Sequence, residues 1–239
     1  MFFTRIRIPE HWTNGVQLDK TSIYLPFIGW VVGGISALIF YLLNLILPVN
    51  ISILFSMLSS ILLTGAFHED GFADVCDAFG GGWTKTKILA IMKDSRLGAF
   101  GAIGIFLMLL ARFLLLTEIS VKLIPPAIIL AHSLSRLAAV SFIYTHDYVR
   151  ENDESKAKPV SKNISLADFL IACFFGLLPL VLFQNYWITA TVPAVLFVKI
   201  FLARYFNKWI GGYTGDCLGA MQQLTEVTVY LTIILLPYS

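Results

Sequence analysis

The sequence predicts an all-α, polytopic integral membrane protein: a helical bundle of about seven transmembrane helices, six at the least, with its active site on cytoplasmic loops. Three observations carry this expectation. The 239 residues are 57% hydrophobic and only 13% charged, where a soluble domain is about 25% charged. Seven apolar stretches reach or approach the ~20 residues needed to cross about 30 Å of hydrocarbon. Backbone groups in lipid must pair internally, and the alternating polarity of a β-barrel is missing from the sequence. The length suits a single transmembrane domain, residues 1–239.

In chain order, the N-terminus MFFTRIRIPEHW has no apolar core of its own, and its arginines among Phe, Ile and Trp read as interfacial rather than as a cleaved signal. The apolar stretches follow as Ser22–Leu47, Ile51–Phe67, Ala99–Leu116, Leu123–Tyr144, Leu166–Phe183, Trp187–Phe206 and Leu218–Pro237. The second, third and fifth are short. Connections on one side are small: Pro48-Val49-Asn50, Thr117–Lys122 and Gln184–Tyr186. Those on the other are long and polar, running about Glu69–Gly98, Thr145–Ser165 and Asn207–Asp216.

The basic residues set the orientation. Arg5, Arg7, Lys20, Lys85, Lys87, Lys93, Arg96, Arg150, Lys156, Lys158, Lys162, Arg204 and Lys208 fall on the side of the N-terminus and the long loops. Lys122 falls in a loop on the other side, and Arg112, Arg136 and Lys199 lie within segments. The positive-inside rule therefore places the N-terminus and the three long loops in the cytoplasm. Seven crossings would leave the C-terminus outside. Cys76, Cys173 and Cys217 share no pairing spacing and read as free thiols.

The first long loop carries the chemistry. Glu69, Asp70, Asp74 and Asp77 lie within nine residues. Asp70, Asp74 and Asp77 have the spacing i, i+4, i+7 and share one helical face. Carboxylates held together repel unless a cation sits among them, and hard oxygen ligands suit Mg²⁺, Mn²⁺ or Ca²⁺. A solvated face needs no such spacing. Gly80-Gly81-Gly82 ends the acidic helix, and Thr84 reads as the N-cap of a short helix, Lys85–Met92. Lys93, Ser95 and Arg96 can hold phosphate oxygens, with Asp94 as a base or further ligand. His68 is a candidate ligand or base.

The last loop reads GGYTGDCLGAMQQLTE from Gly211 to Glu226. Gly211, Gly212 and Gly215 allow close backbone approach beside Thr214, and Asp216 at a helix start is favoured by the dipole. Glu226 lies one or two turns into the bilayer and is expected to face the bundle interior, with Arg112, Arg136 or Lys199 as its partner; Arg112, His132 and Arg136 pair with it or line a polar substrate cavity. The stretch Arg150–Lys162 alternates in sign and reads as a solvated hairpin or a lid. No internal repeat and no matching pair of broken helices is visible, which weakens a transporter reading.

HEDGFADVCDAFGGG with MKDSRLGAFG, then GGYTGDCLGAMQQLTE, together with the early TRIRIP, resemble the cobalamin synthase (adenosylcobinamide-GDP ribazoletransferase) family in order and spacing over nearly the whole chain. The resemblance implies a bacterial inner-membrane enzyme that joins adenosylcobinamide-GDP to α-ribazole or its 5′-phosphate, releases GMP and requires Mg²⁺. The partners implied are those substrates and the lipid bilayer, with no nucleic acid; a homo-oligomer stays open.

The residue reading and the resemblance meet at phosphoryl transfer. Asp70, Asp74, Asp77 and Asp94 are the candidate catalytic residues, and Glu69, Asp70, Asp74 and Asp77 the candidate metal ligands. His68, Lys93, Ser95, Arg96, Gly211, Gly212, Thr214, Gly215, Asp216 and Glu226 are the candidate substrate contacts. Two rival readings stay open. One is a membrane phosphotransferase of the CDP-alcohol type, whose downstream acidic element is missing from its place here. The other is a cation-coupled transporter or channel using the acids as an ion site.

Overall fold

The computed structural model describes residues 4–5, 18–149 and 164–237. Nine α-helices make up the regular structure of those residues, with short 3-10 turns between them. They are α1 (Leu25–Leu43), α2 (Val49–Thr64), α3 (Phe67–Gly81), α4 (Lys85–Met92), α5 (Ala99–Glu118), α6 (Ile124–Thr145), α7 (Leu166–Leu177), α8 (Thr191–Ile210) and α9 (Gly215–Leu235). A single isolated bridge pairs Tyr148 with Tyr213.

The all-α membrane bundle expected from composition is what the chain forms. Among the described residues five helical stretches are long and apolar enough to span a bilayer: Thr21–Leu43, Ala99–Glu118, Val121–Thr145, Tyr186–Ile210 and Gly215–Leu235. The number rises to six if α2 and α3, which meet at 88°, form one broken span. The expected seven is therefore reduced, although each apolar stretch does lie in helix. Helix α2 has 16 residues, about 24 Å at the usual rise and short of the hydrocarbon thickness. The apolar helix Leu166–Leu182 is also short in residues, α7 ending at Leu177 and giving way to a 3-10 turn over Leu178–Leu182 with Pro179 near its start.

Helix α6 is the axis of the bundle: 78% of its spanning window is buried, against 22% for α5 and 28% for the span containing α8. The contrast means that α5 and α8 show most of their surface outward, where Ile103, Phe106, Phe197 and Phe201 are exposed as lipid-facing side chains would be. Helix α1 packs on α6 through Gly29 and Gly33, one turn apart. A Cβ at Gly29 would collide with the carbonyl of His132, so small residues let these backbones approach as membrane helices commonly do.

The first long loop differs most from expectation. Residues 69–81 are not a loop: they belong to α3, which packs against α5 and α9. The turn into α3 is made by two consecutive left-handed residues, Gly65 at φ 70° and Ala66 at φ 59°. Glycine takes that conformation freely, but Ala66 costs about 1–2 kcal/mol to hold there. The turn is backed by the Arg5 amide, which donates to the Leu63 carbonyl at 2.7 Å. Thr84 caps α4 as expected, accepting from the Lys87 amide at 3.3 Å. The third long connection is shorter than expected, because α8 runs on to Ile210 and leaves residues 211–214 as the turn into α9. Arg150–Lys162 lies outside the described residues.

Candidate functional site

Helix α3 has two chemically different faces. Asp70 is exposed, and Asp74 and Asp77 are half-buried along the same stripe. On the other side His68, Glu69, Phe72 and Ala73 are buried. The stripe is brought up against α9 by glycine. A Cβ on Gly71 would stand 3.0 Å from the Asp216 Cα, and one on Gly219 would stand 3.0 Å from the His68 carbonyl oxygen. The Asp70-Gly71 step and the first turn of α9 thus touch through backbone. That sets the Asp70-Gly71 step at the N-terminal end of α9.

The α9 end is well ordered for that position. Thr214 caps it, its hydroxyl accepting from the Cys217 amide at 3.4 Å and donating to Asp216 Oδ2 at 3.4 Å. Gly215 has open space where a side chain would go, with nothing within 4 Å. Gly211 at φ 81° ends α8 and Gly212 at φ 157° follows. The Tyr213 amide donates to the Asp147 carbonyl at 3.0 Å, and the Val149 amide to the Tyr213 carbonyl at 3.0 Å. This clip ties the end of α6 to the turn, and burial pushes the Tyr213 phenol up to about 12. Lys85, first in α4, carries its Nζ 3.5 Å from where a Gly211 Cβ would be. Sequence reading gave Lys85 no role beyond orientation, since nothing in its neighbours signals that the chain folds back over Gly211.

Asp77 has a task that its spacing did not reveal. Its Oδ2 accepts from the Gly98 amide at 2.7 Å and its Oδ1 from the Gly101 amide at 2.8 Å. The carboxylate caps α5 from a neighbouring helix, where the dipole favours negative charge. The glycine-rich start of α5 is occupied by this aspartate.

Lys93, Asp94, Ser95 and Arg96 form the exposed turn leading into Gly98. Arg96 Nη2 donates to Asp94 Oδ2 at 2.6 Å, and Arg96 Nε reaches both oxygens at 3.0 and 3.1 Å. Those hydrogen bonds hold the Asp94 carboxyl below the ordinary carboxylate range, which weakens it as a base.

Behind the acidic stripe lies a buried ionic knot joining four helices. Glu226 on α9 is fully buried. Its Oε2 lies 3.2 Å from Arg112 Nη2 on α5, and its Oε1 lies 3.1 Å from His132 Nδ1 and 3.8 Å from Arg136 Nη1 on α6. Gln222 Nε2 donates to the same Oε1 at 3.2 Å. Glu226 thus faces the bundle interior, as its depth in the bilayer suggested; Lys199 is not its partner and instead donates to Thr145 Oγ1 at 2.9 Å.

Glu69 joins this knot. Its Oε1 lies 3.5 Å from Arg112 Nη1 and accepts from Gln223 Nε2 at 3.2 Å. Glu69 is therefore turned away from Asp70 and Asp74, because α3 rotates successive residues by about 100°. His68 is buried beside it. Among the described residues no three His, Cys, Asp or Glu side chains are gathered closely enough to hold a metal ion. The arrangement instead offers Asp70 and Asp74 as hard oxygen donors one helical turn apart on the accessible face. That donor set fits Mg²⁺, which commonly takes one or two carboxylates and completes its shell with water and substrate phosphates.

Comparison with known proteins bears on this geometry. The family described as cobalamin-5-phosphate synthase matches residues 1–234. A Leptospira interrogans protein named adenosylcobinamide-GDP ribazoletransferase is 47% identical over 246 residues, covering 98% of this chain and 92% of its own length. Proteins of the same name from Shewanella frigidimarina and Shewanella oneidensis are 44% and 41% identical, each over 98% of this chain. No solved structure matches the chain.

Proposed function

The chain belongs to the cobalamin-5-phosphate synthase family, and we propose that it is a membrane-embedded adenosylcobinamide-GDP ribazoletransferase working where α3 meets the start of α9. The acceptor is α-ribazole or its 5′-phosphate, the leaving group is GMP, and the site faces the cytoplasm from the bacterial inner membrane. The observation that carries the location is the backbone contact of Gly71 with Asp216. It sets an acidic stripe beside a capped helix N-terminus with open space at Gly215.

In this reaction an acceptor oxygen attacks the phosphorus nearest the corrinoid side chain. The bond from that phosphorus to the bridging oxygen breaks, and GMP departs with the electron pair. Bound Mg²⁺ would neutralise charge on the diphosphate and on the departing GMP. Asp70 and Asp74 are the residues that would hold it. Lys93 and Arg96 are suited to the non-bridging oxygens, since both are exposed cations on the turn beside Asp77. Lys85 above Gly211 joins them as a further cation. The amide end of α9 favours a phosphate in the space at Gly215. A phosphate acceptor is already anionic and needs no base; a hydroxyl acceptor loses its proton to a carboxylate of the stripe or to water.

The test is direct. Purified protein in liposomes, given adenosylcobinamide-GDP, α-ribazole 5′-phosphate and Mg²⁺, should release GMP and form the joined corrinoid nucleotide in equal amounts. Absence of both products, from protein verified as folded, overturns the assignment.

A further inference from the structure

Resting on that reading of the α3 stripe, we infer that Glu69 is a positioning residue: its contacts to Arg112 and Gln223 lock the rotation of α3 and so aim Asp70 and Asp74 outward. Three observations converge on this. Glu69 and Asp70 are adjacent, one buried and one exposed. The Glu69 carboxylate is the acidic side chain of α3 that reaches the ionic knot, through Arg112 Nη1 at 3.5 Å and Gln223 Nε2 at 3.2 Å. Arg112 and Gln223 are themselves fixed, Arg112 Nη1 donating to Gln223 Oε1 at 3.3 Å and Arg112 Nη2 pairing with Glu226 at 3.2 Å.

Elsewhere α3 is held by packing, with Phe72 and Ala78 in the core and Phe79 against Tyr205 and Phe206. Its first turn meets α9 by close backbone approach at Gly71 and Gly219. Its entry is the left-handed pair Gly65-Ala66, which caps with backbone and no side chain. Asp77 anchors the far end on α5, so the Glu69 contacts hold the near end, next to Asp70. A buried carboxylate among membrane helices is costly and is kept where it serves a site. Glu69 Oε2 takes no hydrogen bond among the described residues, and a buried ion pair is weak evidence for stability. Its use is geometric.

Two native cysteines report on this. The Cys76 thiol on α3 lies against Gly104 of α5, and Cys217 on α9 is fully buried. The experiment maps, by mass spectrometry, thiol labelling of Cys76 and Cys217 in membrane-reconstituted wild type, Glu69→Gln and Gln223→Leu, alongside kcat for GMP release. Rotation of α3 exposes Cys76 and leaves Cys217 protected. The expected result is faster labelling of Cys76 alone in Glu69→Gln, with kcat down by on the order of a hundredfold, the loss typical of a catalytic group displaced by about 1 Å. Gln223→Leu, which removes no charge and decides the matter if Glu69→Gln does not insert, should show the same pattern more weakly. Labelling of both cysteines means general loosening and overturns the inference. So does lost turnover with Cys76 still protected, which would make Glu69 a direct participant, and so does unchanged turnover. Labelling is read without substrate, so a wild type that releases no GMP counts against the proposed reaction and leaves the positioning result standing.

Discussion

Gly101 donates its amide to Asp77 Oδ1 at 2.8 Å, and the absence of a side chain at Gly101 is what makes room for that carboxylate. Asp77 thereby ties the acidic helix to the first turn of the next spanning helix. Gly101→Ala should overpack this junction and destabilise the protein by about 1–3 kcal/mol. The check is the unfolding midpoint in detergent, which should fall; an unchanged midpoint would show that α5 is held without Asp77.

Glu226→Ala should be the most damaging single change in the ionic knot. It leaves Arg112, His132 and Arg136 facing one another in a buried site. Breaking a buried ion pair from one side costs about 3–5 kcal/mol. Glu226→Gln keeps an acceptor for His132 and Gln222 and should cost less. Thermal stability and the monodisperse fraction after extraction rank the two.

Arg96→Ala should leave stability unchanged, because the Asp94–Arg96 pair is exposed and such pairs contribute little. It should raise KM for the GDP-linked substrate by about tenfold, the loss of one charge-assisted hydrogen bond. Steady-state kinetics over the concentration of that substrate reads this. Asp94→Asn should retain turnover, since Arg96 already weakens Asp94 as a base.

The Tyr213 clip should show in alkaline pH. The Tyr213 phenol is raised from 10.0 to about 12 by burial, so its neutral form is the one the fold favours. A raised folded value means that its contribution is complete below about pH 10 and is lost as pH rises through about 12. Ultraviolet titration should find a late tyrosinate that Tyr213→Phe removes while retaining the ring contact with Phe142.

The fold class was legible because lipid imposes it: composition and apolar run length are enough to predict a helical bundle. The number of spans was less legible. Run length does not reveal that Gly65 and Ala66 turn left-handed and fold the acidic segment back at 88°. The common face of Asp70, Asp74 and Asp77 followed from periodicity, and the inward Glu226 from its depth. Sequence spacing groups Glu69 and Asp77 with Asp70 and Asp74 because it does not say what stands opposite each face. Opposite Glu69 stands Arg112, 43 positions along the chain, and opposite Asp77 stand the amides of α5.

Phosphoryl transfer is assigned by this proposal to Asp70 and Asp74 on the accessible face of α3. Its most direct test is GMP release by Asp74→Ala in liposomes at saturating Mg²⁺, with insertion and unfolding midpoint matched to wild type. Turnover should be abolished while the midpoint is unchanged. Near-normal GMP release from the folded variant would contradict the account.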